Sequence, residues 1–496
     1  MLRAFIAGCI LLVPSAVLDA SQAALAGTAI VIRDRTALRA APRAGAQMQA
    51  MLWRGELLEI RGARLDYLQV YDFRRERGGF VHTSLVSSLT LTAQEAPELL
   101  SVVRFVRDTA GAEALGIGYV AAYVQSAPAE ILRGAAGIEA MDALGTFADR
   151  LARRASTVRV PSHSAETTLA AHLDVAARYG VRYTNHEYAG RMVICYDGEA
   201  FQRVLTTNSA PAQRARAVLG LTRAECMGDD LSPLERARIT EWQAQVLDAV
   251  EVAALPAYVR NRVLIRRASA LSTLAFQRAR QGQSADAAAA RAITALAAVD
   301  KAELPDADRA AYGEAALRVS ASRWAAVAPA PAPERPGQLR IRTAPGEPGE
   351  TCVSLIDGRR AGGNVLAQRC TYGIVWTASE THNREENALT LAVQPLAAWR
   401  ELWLFRKQAK GWTVHVLPPA ASEPEIGYVE FAGWVPGGTR MLVAREARSE
   451  GRVLRRFEIV RLDTLAVVRR AGRPGMLGAF RRWQDPSWKN QTLSMR

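Results

Sequence analysis

The chain contains 496 residues, of which 49% are hydrophobic and 23% are charged, and its formal net charge at pH 7 is +14. This length predicts about three or four domains, and the hydrophobic content supports buried cores, which excludes a chain that is disordered throughout. A protein this basic would ordinarily be expected to bind nucleic acid.

The first 26 residues have the pattern of a secretion signal. Arg3 provides a positive start, residues 4–17 form a short apolar run, and Ala24-Leu25-Ala26 is a small-x-small cleavage site. We therefore expect cleavage after Ala26 and a periplasmic or secreted protein. No later run reaches ~18 consecutive apolar residues, so no transmembrane segment is predicted. Export also argues against a nucleic-acid partner.

The cations are almost all arginine, since lysine occurs only at positions 301, 407, 410 and 489. Arginine binds phosphate and carboxylate groups through two hydrogen bonds at once, so an anionic envelope surface is a candidate partner. The alternative is a composition biased toward alanine and arginine, with no specific anion site.

Residues 28–89 alternate between apolar and polar positions at the period of a β-strand. The apolar runs are Ala29–Ile32, Leu52–Ile60, Tyr67–Tyr71 and Gly79–His82. Proline and glycine residues separate these runs, and this pattern predicts a small all-β barrel.

Three motifs in this segment occur in the order found in bacterial SH3 domains. They are Leu38-Arg39-Ala40-Ala41-Pro42, Leu52-Trp53-Arg54-Gly55-Glu56-Leu57-Leu58-Glu59-Ile60 and Gly79-Phe80-Val81-His82-Thr83-Ser84. Residues 28–89 thus resemble the bacterial SH3-like family, and the resemblance implies a non-catalytic binding or targeting module of cell-envelope proteins. A ligand groove would be lined by Trp53 with Tyr67, Tyr71 or Phe80. The alternative is that the last three fill the core of the barrel, since aromatic rings dominate small cores.

Residues 93–327 show helical spacing, with a subdivision expected near residue 160 and two short strands within residues 181–196. Further helices are predicted at Pro233–Val252, Pro256–Gln281, Ser284–Ala298 and Pro305–Val327. Ser232 and Glu235 form a capping-box sequence at the first of these, and Pro233 occupies its first helical position. Short loops favour antiparallel neighbours, which predicts a mainly helical bundle.

Two patterns in this region resemble ligand sites but do not meet the requirements of one. Residues 116–121 match the spacing G-x-G-x-x-A, but no strand precedes them, so no dinucleotide or other cofactor is predicted. Three histidines and three carboxylates lie close together in sequence: His163, His172, His186, Glu166, Asp174 and Glu187. Their spacing does not match a metal-binding helix such as H-E-x-x-H, so no metal is predicted.

Export changes how the cysteines are interpreted, because an oxidising compartment allows disulfides. Removal of Cys9 with the signal leaves four cysteines, which allow three pairings. The shortest loops pair Cys195 with Cys226 and Cys352 with Cys370. The alternative is four buried thiols.

Residues 328–337 are rich in proline and alanine and predict an extended linker. Residues 338–496 show repeated strand patterns. Within them residues 428–468 resemble one blade of a TolB-like or WD-type β-propeller, in Phe431–Thr439, Met441–Ala444 and Phe457–Val460. One such unit is found, whereas closed propellers need at least about four blades. We predict a β-rich domain with a propeller-like sheet.

The complete pattern predicts a multidomain α+β protein with an N-terminal SH3-like β-barrel at 28–89, a central mainly helical bundle at 93–327, and a C-terminal antiparallel β-rich domain at 338–496. No G-x-S-x-G, S-x-x-K, H-E-x-x-H or phosphate-loop motif occurs. The leading hypothesis is an exported, non-catalytic binding or scaffold protein of the bacterial cell envelope, whose partner is a cell-wall or envelope-protein ligand. The alternative is a peptidoglycan hydrolase with a catalytic domain in the helical region. Its candidate groups are Cys195 with His382 or His415, and the carboxylates Glu225, Asp229 and Asp230.

Overall fold

The computed structural model describes residues 27–156, 162–188, 190–228, 230–328, 339–358, 363–421, 425–449 and 452–491. The predicted signal peptide, the expected subdivision near residue 160 and almost all of the predicted linker lie outside the described residues. The chain forms two compact units, Met1–Ser209 and Ala210–Arg496. Each unit has its own mixture of helices and sheet, which are described in turn.

The first unit begins with an antiparallel sheet. Its strands are β1 (Gly27–Val31), β2 (Thr36–Arg39), β3 (Met48–Leu52), β4 (Leu57–Arg64), β5 (Tyr67–Asp72), β6 (Arg77–His82) and β7 (Val86–Leu89). The strands pair in the order β3-β2-β6-β5-β4-β1-β7. The predicted strands are therefore present, but the described residues form an open path of strands and no closed barrel.

Helices follow this sheet, together with one hairpin. The helices are α1 (Ala96–Arg107), α2 (Glu113–Ser126), α3 (Ala129–Arg133), α4 (Ala135–Ala155), α5 (His163–Arg178) and α6 (Glu199–Leu205). The hairpin lies between α5 and α6 in the chain and consists of the strands β8 (Tyr183–Tyr188) and β9 (Arg191–Tyr196). Ile30 and Leu89 of the sheet belong to the same buried cluster as Leu99, Ile117 and Phe147 of the helices. The sheet and these helices therefore share a core.

Glycines set the distance between the sheet and α2. Gly55 has φ +92° and interrupts the single strand predicted over Leu52–Ile60. A Cβ at Gly55 would lie 2.3 Å from the carbonyl oxygen of Ala114, and one at Gly118 would lie 2.6 Å from the carbonyl oxygen of Gly55. A Cβ at Gly116 would lie 2.3 Å from the ring of Phe147. The glycines of the G-x-G-x-x-A segment thus lie inside a helix and allow close packing of α2 on both sides.

The second unit begins with helices. They are α7 (Pro211–Leu221), α8 (Pro233–Asp248), α9 (Ala257–Arg280), α10 (Asp286–Ala297) and α11 (Arg309–Ser322). The four helices predicted from periodicity are confirmed. The Ser232 hydroxyl accepts a hydrogen bond from the Glu235 N–H at 3.3 Å, and the Glu235 carboxylate accepts one from the Ser232 N–H at 3.0 Å, so the predicted capping box is formed.

Two sheets follow, of which the smaller is antiparallel and the larger is antiparallel except for one parallel strand pairing. The smaller contains β10 (Leu339–Pro345), β11 (Thr351–Asp357) and β12 (Asn364–Thr371) in chain order. Cys352 and Cys370 face each other in register on β11 and β12 and are joined by a disulfide, as the short-loop pairing predicts. Cys195 and Cys226 are each disulfide-bonded as well. These bonds are compatible with an oxidising compartment.

The larger sheet has eight strands. They are β13 (Ile374–His382), β14 (Ala388–Leu396), β15 (Trp399–Gln408), β16 (Gly411–Leu417), β17 (Ile426–Val435), β18 (Arg440–Ser449), β19 (Arg452–Arg461) and β20 (Val467–Ala471). Two short helices, α12 (Gly478–Trp483) and α13 (Pro486–Gln491), follow it. β15 pairs with β16 along its second half and runs parallel to β17 at Trp399 and Arg400. The segment that resembles a propeller blade therefore continues a larger sheet, and the described residues form no closed propeller.

Helix α11 packs on the larger sheet. Leu317 and Ala321 of the helix share a buried cluster with Ala398, Ile426 and Tyr428 of the sheet. The compact unit therefore extends across the proline-rich segment at 328–337, and the division between units lies at residues 209 and 210, inside the region predicted as one helical bundle. The reason is this apolar contact, which joins residues far apart in sequence.

Candidate functional site

Aromatic side chains occupy the outer face of β5 and β6. Tyr67 on β5 lies opposite His82 on β6, and Gln69 lies opposite Phe80 in the next row of the same face. Tyr71 lies opposite Gly78 in the third row. Directly opposed residues of an antiparallel pair point to the same side of the sheet, so these rows form a continuous surface.

The rings on this face contact one another and a cation. The Tyr67 and His82 rings pack edge to face with centroids 5.1 Å apart, and Tyr71 packs in the same way on Phe73 at 5.1 Å. The Arg61 guanidinium lies over the Tyr71 ring, 3.7 Å from its centroid. We call this surface, formed by Arg61, Tyr67, Tyr71, Phe73, Phe80 and His82, the aromatic face.

The aromatic face is separate from the core of the sheet. The buried cluster beneath the sheet is aliphatic and contains Ala29, Val31, Leu38, Leu52, Leu58, Ile60, Leu68, Val70, Val81 and Val86. Tyr67, Tyr71 and Phe80 are half-buried, and Phe73 is 67% exposed. The interpretation that the first three fill the core is therefore wrong, because the strand period places them on the side opposite the aliphatic positions.

The residues of the predicted groove are only partly brought together. Tyr67, Tyr71 and Phe80 share the aromatic face, whereas Trp53 lies in the turn between β3 and β4 and is half-buried there. Sequence analysis missed Arg61, Phe73 and His82. His82 and Phe73 continue the alternation of Phe80 and Tyr71, so the strand period could have indicated them. Arg61 could not be found in this way, because the register between β4 and β5 shifts between Ile60 and Gly62.

Ion pairs hold the β5–β6 turn that carries Phe73. The adjacent Arg74 donates to the Asp174 carboxylate of α5 at 2.8 Å, and this hydrogen bond lowers the pKa of Asp174 to about 2. Arg75 donates to the buried Glu56 carboxylate at 3.0 and 3.1 Å, and Arg178 of α5 pairs with the same carboxylate at 2.9 Å. The turn is thus tied to α5 through three arginines, which restricts the movement of the aromatic face. A surface held in this way loses little conformational entropy when it binds a ligand.

The predicted cluster of histidines and carboxylates is dispersed into pairs. His172 is buried, and its Nε2 lies 2.7 Å from an Asp34 carboxylate oxygen, while Asp174 pairs with arginines. His186 Nε2 lies 3.0 Å from the Thr184 hydroxyl, in the β8–β9 hairpin. Another group of three candidate metal ligands lies together in the described residues, namely Glu350, Cys352 and Cys370. Both of those cysteines are in a disulfide and have no thiolate to offer.

Two of the groups considered for a hydrolase, Cys195 and Glu225, have partners in the structure. Cys195 is disulfide-bonded, so its sulfur is not a thiolate nucleophile. Burial would raise the pKa of Glu225, but backbone hydrogen bonding and the Arg223 guanidinium outweigh burial and lower it. Burial lowers the pKa values of His382 and His415, and Arg406 adds to the effect at His415. Asp229 lies outside the described residues.

Comparisons with known proteins find no match to this chain among protein-family models, curated proteins or solved structures. Within the described residues, no helix has the length and hydrophobicity needed to span a membrane.

Proposed function

We propose that this protein is an exported, non-catalytic binding protein of the bacterial cell envelope, and that the aromatic face is its recognition surface for a cell-wall glycan or peptide. The resemblance of residues 28–89 to bacterial SH3 domains supports the envelope context. The observation that carries the proposal is the position of the aromatic rings outside the core.

A set of rings on a solvent-facing sheet needs a reason, because burial of an aromatic ring normally contributes to a core. Here an aliphatic cluster fills the core, and the rings remain available for a ligand. Aromatic rings offer large, rigid contact area to the apolar faces of sugars and to peptide side chains. Arg61 lies over Tyr71 and already donates from Nε to the Glu59 carboxylate at 2.8 Å, so its terminal nitrogens are the atoms that can donate to a carboxylate of a wall peptide. Gly78 lies opposite Tyr71 on the neighbouring strand and has no side chain, so the space beside the Tyr71 ring is open to a ligand.

The test is co-sedimentation of the protein lacking residues 1–26 with purified peptidoglycan, at low and high salt. We expect binding that persists at high salt, because contacts between rings and sugars are not screened by ions, whereas a general attraction of the arginine surface is screened within about 10 Å at 0.1 M salt. The soluble sugar released is assayed in the same tubes. Release of sugar would contradict the non-catalytic part of the proposal.

Two matched substitutions test the aromatic face itself. Phe73→Ser and Phe105→Ser each remove one highly exposed phenylalanine, 67% and 79% exposed respectively, from the same compact unit. Phe73 belongs to the aromatic face, whereas Phe105 lies on α1. We expect Phe73→Ser, and the variant Tyr71→Ala, to weaken binding roughly tenfold, as is typical for a central aromatic contact. Equal effects of Phe73→Ser and Phe105→Ser would refute the assignment.

A further inference from the structure

A second candidate site lies in the other compact unit, at one end of the eight-stranded sheet. Strand ends and turns enclose a cleft of about 580 Å³. Its walls come from the end of β15 with the following turn, the β17–β18 turn, the end of β19 and the residue before β14. The residues that line the cleft are Asn387, Arg406, Lys407, Gln408, Ala409, Gly438, Thr439, Arg440, Arg461, Leu462 and Asp463. A volume of this size is in the range of small-molecule sites.

The cleft has an excess of positive charge. Four of its lining residues are cations and one, Asp463, is an anion. Arg440 and Arg461 lie directly opposite each other on β18 and β19. Like charges directly opposed across strands are destabilising, so this arrangement needs a compensating anion. Asp463 compensates only one of them, because its carboxylate is held by the Arg461 guanidinium, with Nε at 2.9 Å.

The four cationic side chains differ in whether they already have hydrogen-bond or ion-pair partners. Arg406 is buried, and its guanidinium donates to the Leu462 carbonyl and to His415, the latter at 3.1 Å. Lys407 and Arg440 are exposed, and neither side chain has a hydrogen-bond or ion-pair partner within the part of the chain that the structure describes. Arg406 and Arg461 thus have structural partners, and two cations remain for a ligand.

Another carboxylate beside the β17–β18 turn, that of Glu385, already has a hydrogen-bond partner. Glu385 accepts a hydrogen bond from the Gly437 N–H at 3.0 Å, beside the β17–β18 turn, and it does not line the cleft. The neutral groups of the cleft are the amides of Asn387 and Gln408 and the hydroxyl of Thr439, all of which can donate to an oxygen anion. A lysine, an arginine and several neutral donors around a small volume match a phosphate-bearing molecule.

We propose that this cleft binds a small, multiply charged phosphate-bearing anion. Lys407 and Arg440 provide the charge, and Arg461 and the neutral donors line the remaining wall. This site is independent of the aromatic face, which lies in the other unit.

Inorganic pyrophosphate is the probe, and isothermal titration calorimetry with the protein lacking residues 1–26 measures its dissociation constant. We expect the double variant Lys407→Gln/Arg440→Gln to bind at least roughly tenfold more weakly, because each charge-assisted hydrogen bond lost costs about one such factor. The control is Arg342→Gln/Arg469→Gln, which removes the same charge from exposed positions on β10 and β20 outside the cleft. The control should bind as the unsubstituted protein does.

Equal weakening in the two double variants would overturn the proposal, since the attraction would then belong to the net charge and not to the cleft. Absence of measurable binding to the unsubstituted protein would overturn it as well. Circular dichroism checks that each variant is folded, and single variants at 407 and 440 replace the double variant if it is not. Phosphatidylglycerol vesicles form a second arm. Binding to vesicles that depends on Lys407 and Arg440, without pyrophosphate binding or competition, would assign the site to a lipid headgroup and refute a small soluble ligand.

Discussion

The contact between helix α11 and the large sheet of the second unit includes a buried charge cluster, and the substitution Glu430→Gln tests how much this cluster contributes to stability. Glu430 on β17 accepts from Arg323, directly after α11, at 2.5 Å and from Arg400 on β15 at 2.6 Å. Their exposed fractions are 3% for Glu430, 4% for Arg323 and 0% for Arg400. The substitution keeps the size of the side chain and removes a negative charge that pairs with both guanidinium groups of this cluster.

The expected cost follows from what remains after the substitution. Burial already lowers the pKa of Arg400 to about 10, although Glu430 acts in the opposite direction. Without Glu430, Arg400 retains hydrogen bonds to the carbonyls of Ser320 at 2.6 Å and Ala321 at 3.3 Å, which do not neutralise its charge. Removing one partner of a buried ion pair costs about 3–5 kcal/mol of unfolding free energy. With a urea dependence of about 3 kcal/mol per molar, the unfolding midpoint of the second unit should fall by roughly 1–1.7 M.

Urea unfolding followed by tryptophan fluorescence measures this shift, and Glu241→Gln is the matched control. Glu241 pairs with Arg278 on α9, and the two side chains are 49% and 33% exposed. An exposed pair of this kind contributes about 0–1 kcal/mol. If Glu430→Gln shifts the midpoint no more than Glu241→Gln, the reasoning is refuted. Replacing all three charged residues of the cluster by methionine should recover most of the loss, since well-packed apolar groups can substitute for a buried ion cluster.

Three further outcomes are expected. Burial raises the pKa of Glu380 to about 7 in the folded protein, so the stabilising contribution of the protonated carboxyl is complete below about pH 4.5 and is lost as the pH rises through about 7. In a thermal-unfolding series across this pH window, Glu380→Gln should remove at most about 3 kcal/mol of the pH dependence of stability. An unchanged pH profile would contradict the raised pKa of Glu380. Gly116→Ala should destabilise the first unit by about 1–3 kcal/mol in chemical denaturation, because the added carbon overlaps the Phe147 ring. The control is Gly313→Ala on α11 of the second unit, where a half-buried helical glycine has open space around its Cβ position, and this change should be neutral or stabilising. Replacing Cys352 and Cys370 together by alanine should lower the free energy of unfolding by about 3 kcal/mol, since the disulfide closes a loop with a sequence separation of 18. A denaturation midpoint equal to that of the unsubstituted protein would show that the loop is already ordered without the disulfide.

Local patterns in the sequence predicted most of the secondary structure. Helical periodicity and the Ser232 capping box correctly placed α8 to α11, and turn residues correctly placed the hairpin of β8 and β9. These features depend on residues a few positions apart, so a pattern within one segment is sufficient. The boundaries of the compact units were harder to predict, because Leu317 and Ala321 on α11 contact a sheet that begins after the proline-rich segment.

The candidate site shows the same division. Sequence patterns were sufficient to place Tyr67, Tyr71 and Phe80 on strands, and to show that Cys352 is close enough along the chain to pair with Cys370. The position of these rings outside the core required the three-dimensional structure, because it depends on which face of the sheet the aliphatic residues cover. The basic cleft is a stronger case, since Lys407, Arg440 and Arg461 belong to three strands that meet at one end of a sheet. Their proximity is set by long-range strand pairing, and the sequence spacing of the residues does not carry that information.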